Sequence, residues 1–225
     1  MDTFRLCLAF GPAAIYLVLL GVINLARRPL LVSGGRDAAA LGLAISGFVI
    51  VGPVELFFPY DASIYFGSFV WVLLLGLYAL GVLLVLLLLR PRLVIYNLSI
   101  EQLRPILAEL VERLDPAARW AGDSLSLPAL GVQLHLEWLP TMRNVSLVAS
   151  GPNQSHAGWR RLEEALGAAL AEQEPTGRNP RGASLLSAGC LLAVALGLAI
   201  ARDPDAVVEP LQTIGRSILE LLQGR

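Results

Sequence analysis

A chain of 225 residues that is 56% hydrophobic and only 16% charged has too little polar surface to clothe a water-soluble globule of its size. Its formal net charge of −1 leaves no positive excess for a nucleic-acid backbone. All 17 basic residues are arginine, and alanine, leucine and glycine abound, the composition of GC-rich, bacterial coding sequence. The expectation is an integral membrane protein whose solvent is the lipid bilayer.

Four runs have the length of about twenty apolar residues that a helix needs to cross a hydrocarbon core: Leu6 to Leu25, Ala38 to Phe58, Ile64 to Leu89, and Ala183 to Ala201. The first is too long for a signal-peptide core and ends in NLARRP with no small-residue cleavage site, so it reads as a retained span. Cys7 and Cys190 lie in apolar runs, where cysteine serves as a small hydrophobe.

Arginines set the orientation, because short loops rich in positive charge stay in the cytoplasm. Arg27, Arg28 and Arg36 fill the first loop, Arg90 and Arg92 follow the third run, and Arg178 and Arg181 precede the fourth. Residues 59–63 carry none. Both chain ends are therefore expected outside, with the long segment between the third and fourth runs in the cytoplasm of a bacterial inner membrane.

Within the second run stands Glu55, four residues before Pro59 and so about 6 Å below the expected helix end at a rise of about 1.5 Å per residue. Arg5 and Ser68 fall at the same level. A tie between helices through these three residues is one reading; a transport pathway through Glu55 is the other.

The segment after Arg90 has the grammar of a small folded domain. Leu93 to Tyr96 reads as a buried strand, and Ser99 with Gln102 reads as the capping box of a following helix. Ile100, Leu103, Leu107, Leu110 and Leu114 repeat at helical spacing, while Pro105 either interrupts that helix or restarts it. The period then becomes two: Leu125 and Leu127, then Val132 to Trp138, then Val145 to Ala149, with a turn at Pro128 to Gly131. Trp159, Leu162, Leu166 and Leu170 mark a second amphipathic helix.

The expected fold is therefore that of an α-helical membrane protein with four transmembrane helices and an inserted α+β domain, βαβββα-like. Its parts are residues 1–89, a three-helix transmembrane region; 90–182, the cytoplasmic α+β domain; 183–201, the fourth transmembrane helix; and 202–225, an outer amphipathic helical tail. In that tail Val207, Leu211, Ile214, Ile218 and Leu221 recur at spacings of four and three.

His135 and Glu137 alternate onto one outer strand face, as an acid/base or metal pair would require. A solvated or partner-facing sheet face is the commoner use of such residues. No metal-ligand spacing, phosphate loop or nucleophile elbow is present, so no metal and no cofactor is expected. In the fourth span Gly189, Ala193, Gly197 and Ala201 form a small-residue stripe suited to close helix packing within the chain or with a second copy. The function expected is that of a scaffold or regulatory subunit with a protein partner or homo-oligomeric contacts. The alternatives are a transport or channel component using Glu55 and a membrane enzyme using His135 and Glu137.

Overall fold

A computed structural model describes residues 2–54, 56, 64, 65, 69–139, 143–152, 154–173 and 180–222. Helix α1 spans Thr3–Leu25, strand β1 Leu30–Ser33, α2 Gly34–Val49 with a π-helical turn Ile50–Val54, and α3 Phe69–Leu88. Then come β2 Arg92–Tyr96, α4 Ile100–Leu114, β3 Arg119–Ala121, β4 Ser124–Leu127, β5 Val132–Leu139, β6 Asn144–Ala149 and α5 His156–Ala171. Helices α6, Pro180–Arg202, and α7, Asp205–Leu222, close the chain.

Four of these helices are long and apolar enough to cross a membrane: Thr3–Leu25, Gly34–Pro53, Phe69–Leu88 and Arg181–Arg202, with mean hydropathies of 2.4, 1.4, 2.8 and 2.3. Of the twenty residues of α3 only Val70 is buried, and Leu77, Leu87 and Leu88 are among its many exposed large side chains. A water-facing surface of that kind aggregates; a lipid-facing one is at home.

The chain divides into two compact units, one made of residues 1–18, 40–87 and 187–225, the other of residues 19–39 and 88–186. In the first, Pro12 sits inside α1 and removes the N–H that would have bonded the Leu8 carbonyl. Gly47 of α2 packs against that carbonyl so closely that a Cβ there would overlap it. Only a residue without a Cβ lets the two backbones approach so closely. Phe10 and Phe48 meet edge to face beside it, ring centroids 5.0 Å apart. Tyr78 of α3 donates its hydroxyl to the Gly42 carbonyl of α2 at 2.5 Å, which satisfies a phenol on an apolar helix. The π-helical turn of α2 falls where Pro53 denies the α-helical ladder its next donor.

The second unit holds one six-stranded sheet, order β1-β2-β6-β5-β4-β3, with every neighbouring pair antiparallel. Helix α4 carries the chain from β2 across to the far edge, and β3 to β6 return as a meander. Leu93, Ile95, Leu125, Leu127, Val132, Leu134, Leu136, Val145, Leu147 and Ala149 share a core with Leu103, Leu107 and Val111 of α4 and Trp159, Leu162, Leu166 and Leu170 of α5. Both helices thus lie on one sheet face, and each fully buried leucine contributes about 1.5–3 kcal/mol.

Local signals explain the boundaries. The Ser99 backbone N–H donates to Gln102 Oε1 at 3.2 Å at the start of α4, and α4 runs unbroken through Pro105. Ser155 caps α5 by accepting from the Gly158 N–H at 3.1 Å. Asp115, 1% exposed, ends α4 and accepts from the backbone of Ala117 at 3.0 Å and of Ala129 at 2.8 Å. One carboxylate therefore fixes both the helix end and the β4–β5 turn.

Two strands correct the expected order of strand, helix, three strands, helix. β3 is only three residues, too short for an alternation to register, and β1 comes from the first arginine loop, outside the segment read as the α+β domain. β1 pairs with β2 from Leu30↔Tyr96 to Ser33↔Leu93, and Leu31 packs against the core. The pattern is a long-range one: LLVS has no partner until β2 has been placed. Helix α7 runs from Asp205 through Pro210, its first turn capped by Asp203, whose Oδ1 accepts from the Ala206 N–H at 3.3 Å.

Candidate functional site

The sheet face opposite the core divides along its width. On β1 and β2 it is closed: Val94 and Tyr96 are buried, though their neighbours Leu93 and Ile95 already fill the core on the other side. Helix ends belonging to the same unit hold this half. Asp37, in the first turn of α2, accepts from Arg92 Nη2 at 3.0 Å and from the Tyr96 hydroxyl at 2.6 Å. A carboxylate near a helix N-terminus is favoured by the free amides there, and the guanidinium adds charge to the hydrogen bond.

Asn97 follows β2 with φ 64°, in the left-handed region that asparagine tolerates. It is 2% exposed, and its amide donates to the Ile23 carbonyl at 2.6 Å and to the Arg28 carbonyl at 3.4 Å. The last turn of α1 has carbonyls with no partner within the helix, and Asn97 supplies one from the sheet. Asn97-Leu-Ser99, a formal glycosylation triplet, is thereby occupied as a structural joint. Small residues set the spacing nearby: a Cβ on Gly21 would lie 2.5 Å from the Leu186 nitrogen, and one on Gly182 2.8 Å from the backbone of Asn24 and Leu25.

From β6 to β3 the same face is open. Its rows follow from the register: Arg92, Val148, His135 and Ser124 stand side by side across four strands, and Val94, Ser146 and Glu137 form the next row. His135 and Glu137 do share this exposed face, two residues apart on β5. His135 Nδ1 lies 3.1 Å from Ser124 Oγ, its neighbour in the row. Among the described residues no group of three or more His, Cys, Asp or Glu is arranged to hold a metal.

Where the closed half meets the open half there is a cleft of about 330 Å³, lined by Gly34, Leu88, Leu89, Arg90, Arg92, Glu137 and Val148. It combines two leucines from the end of an apolar helix, two guanidiniums and one carboxylate. Arg92 is partly neutralised by Asp37; among the described residues no hydrogen bond or ion pair engages Arg90 or Glu137. At the tip of β5, Trp138 and Leu139 are exposed, as is Trp120 on β3.

Of the other residues singled out by sequence, Arg5 is exposed near the start of α1. Glu55 and Ser68 lie outside the described residues. In α6 Gly189 is buried, and a Cβ there would come 2.8 Å from the Val18 nitrogen. Ala193, Gly197 and Ala201 are exposed, with nothing within 4 Å of a Cβ built on Gly197. Asp37, Asn97 and the Arg90–Glu137 cleft escaped sequence reasoning. The available signals were slight: an acidic residue in the first turn after SGG, and an asparagine closing a strand. No protein-family model, curated protein or solved structure matches the chain.

Proposed function

We propose that this is a multi-pass membrane protein of a bacterial inner membrane, with the sheet-bearing unit in the cytoplasm and both chain ends outside. It acts as a scaffold or regulatory subunit that binds other proteins. The observation that carries the reading is the exposure of Trp138 and Leu139 at one strand tip and of Trp120 at the sheet edge, in a unit whose core is otherwise well closed. Tryptophan is the side chain most enriched at the energetic centres of protein interfaces, and it is seldom left in water without use. The exposed small residues of α6 provide a second contact inside the bilayer, with a helix of a partner or of another copy.

Co-purification from native membranes with mass spectrometry is the test. A stoichiometric partner should be recovered with the wild type and lost with Trp138→Ala or Trp120→Ala, while Gly197→Leu reduces assembly size. Recovery of the same monomer from the wild type and all three variants would refute the proposal.

A further inference from the structure

We infer that the cleft between Arg90 and Glu137 binds the headgroup of an amine-bearing zwitterionic phospholipid; the inference rests on the membrane reading above. Position supplies the first argument. The apolar run of α3 ends at Leu88, Leu89 follows, and Arg90 and Arg92 come next, so the cleft lies where hydrocarbon gives way to headgroups along the chain. Leu88 and Leu89 offer apolar contact to the glycerol and the first acyl carbons.

Charge supplies the second. A site for a purely anionic headgroup would gather cations alone, as basic pockets at membrane surfaces do. Here Asp37 already takes one arginine, and the cation of Arg90 and the carboxylate of Glu137 line the same cleft. A cation and an anion on one small cleft suit a headgroup that carries both a phosphate and an ammonium. Arg90, with the remaining donors of Arg92, takes the phosphate oxygens; Glu137 accepts from the ammonium. A primary ammonium has three N–H donors for the carboxylate, and a trimethylated one has none, so the cleft discriminates between them. Gly34 keeps the wall low, because a Cβ there would press on Arg92, 2.9 Å from its Cβ.

The test uses the full chain in detergent, titrated with short-chain phosphatidylethanolamine, phosphatidylcholine and phosphatidylglycerol, with bound lipid read by native mass spectrometry and by the unfolding midpoint. Wild-type protein should bind phosphatidylethanolamine about tenfold more tightly than phosphatidylcholine, the worth of one charge-assisted hydrogen bond. Glu137→Gln, an exposed strand position, should leave the lipid-free midpoint unchanged and abolish that preference. Arg90→Gln should weaken both zwitterionic lipids by a similar factor. Soluble phosphoethanolamine should compete only at far higher concentration, since it lacks the part that meets the leucines. Equal affinity for the two zwitterionic lipids in the wild type, a preference that survives Glu137→Gln, tighter binding of phosphatidylglycerol, or phosphoethanolamine as potent as the lipid would each overturn the inference. Carbonate extraction of native membranes separates this from the broader reading: a chain released by carbonate refutes both, and a retained chain without the preference refutes the headgroup site alone.

Discussion

Asn97 combines two requirements in one side chain. Its backbone occupies the left-handed region, and its buried amide closes the end of α1. The two can be separated by substitution. Asn97→Gly keeps the conformation and deletes the donor, leaving the Ile23 carbonyl with the Ala26 N–H at 3.2 Å, at a cost of about 0.5–1.5 kcal/mol. Asn97→Ala adds about 1–2 kcal/mol of left-handed strain to the same loss. Unfolding midpoints in detergent should fall in the order wild type, glycine, alanine; a glycine variant as stable as the wild type would show that the amide does not hold α1 to the sheet. Asp37 works alike, taking Arg92 and Tyr96 from alternate positions of β2 onto the start of α2.

Among elements, the α1–α2 contact rests on a defect. Pro12 opens a gap in the hydrogen-bond ladder of α1, and Gly47 packs against the carbonyl so released. Neither residue means much without the other, and between them they set how closely the two helices approach. Gly47→Ala should therefore lower the unfolding midpoint by several degrees, because a fixed backbone oxygen cannot yield to a methyl group. Gly11→Ala is the control: nothing lies within 4 Å of a Cβ at that position, and the added helix propensity should leave the midpoint level or slightly raised. Equal effects of the two substitutions would remove the contact from the account. The small-residue face of α6 is divided in the same way, Gly189 packed within the chain and Gly197 with nothing within 4 Å of a Cβ built on it.

For the whole molecule, the pairing of β1 with β2 ties the first interhelix connection to the segment after α3, so the loops at both places lie on one side. In the orientation proposed from the arginine-rich loops, that side is the cytoplasm. In a chain with Cys7 and Cys190 replaced by serine, single cysteines introduced at Arg36 and at Gln133 should react with a membrane-impermeant maleimide only after the inner membrane is opened. A cysteine at Asp205 should react in intact cells. Labelling of all three positions in the same condition would overturn the four-span arrangement.

The four apolar runs, the helix start at Ser99 and the alternation from Leu125 to Ala149 were legible because each is written in neighbouring residues. Length, period and capping are local properties, and hydrocarbon thickness or sheet pleat then acts on them directly. Even so, ends shifted: α1 begins at Thr3 and α2 at Gly34, since helices extend for as long as the backbone finds partners, whatever the hydropathy of the next side chain. Tertiary structure alone decided that LLVS is a strand, that Asn97 and Asp37 are joints, and that Arg90 and Glu137 face one cleft. Each of these depends on residues more than thirty positions apart meeting in register, and a short segment carries no mark of a partner so distant. A strand of four residues or a lone carboxylate acquires its role from the surface it meets, and that surface exists only once the sheet has closed around it.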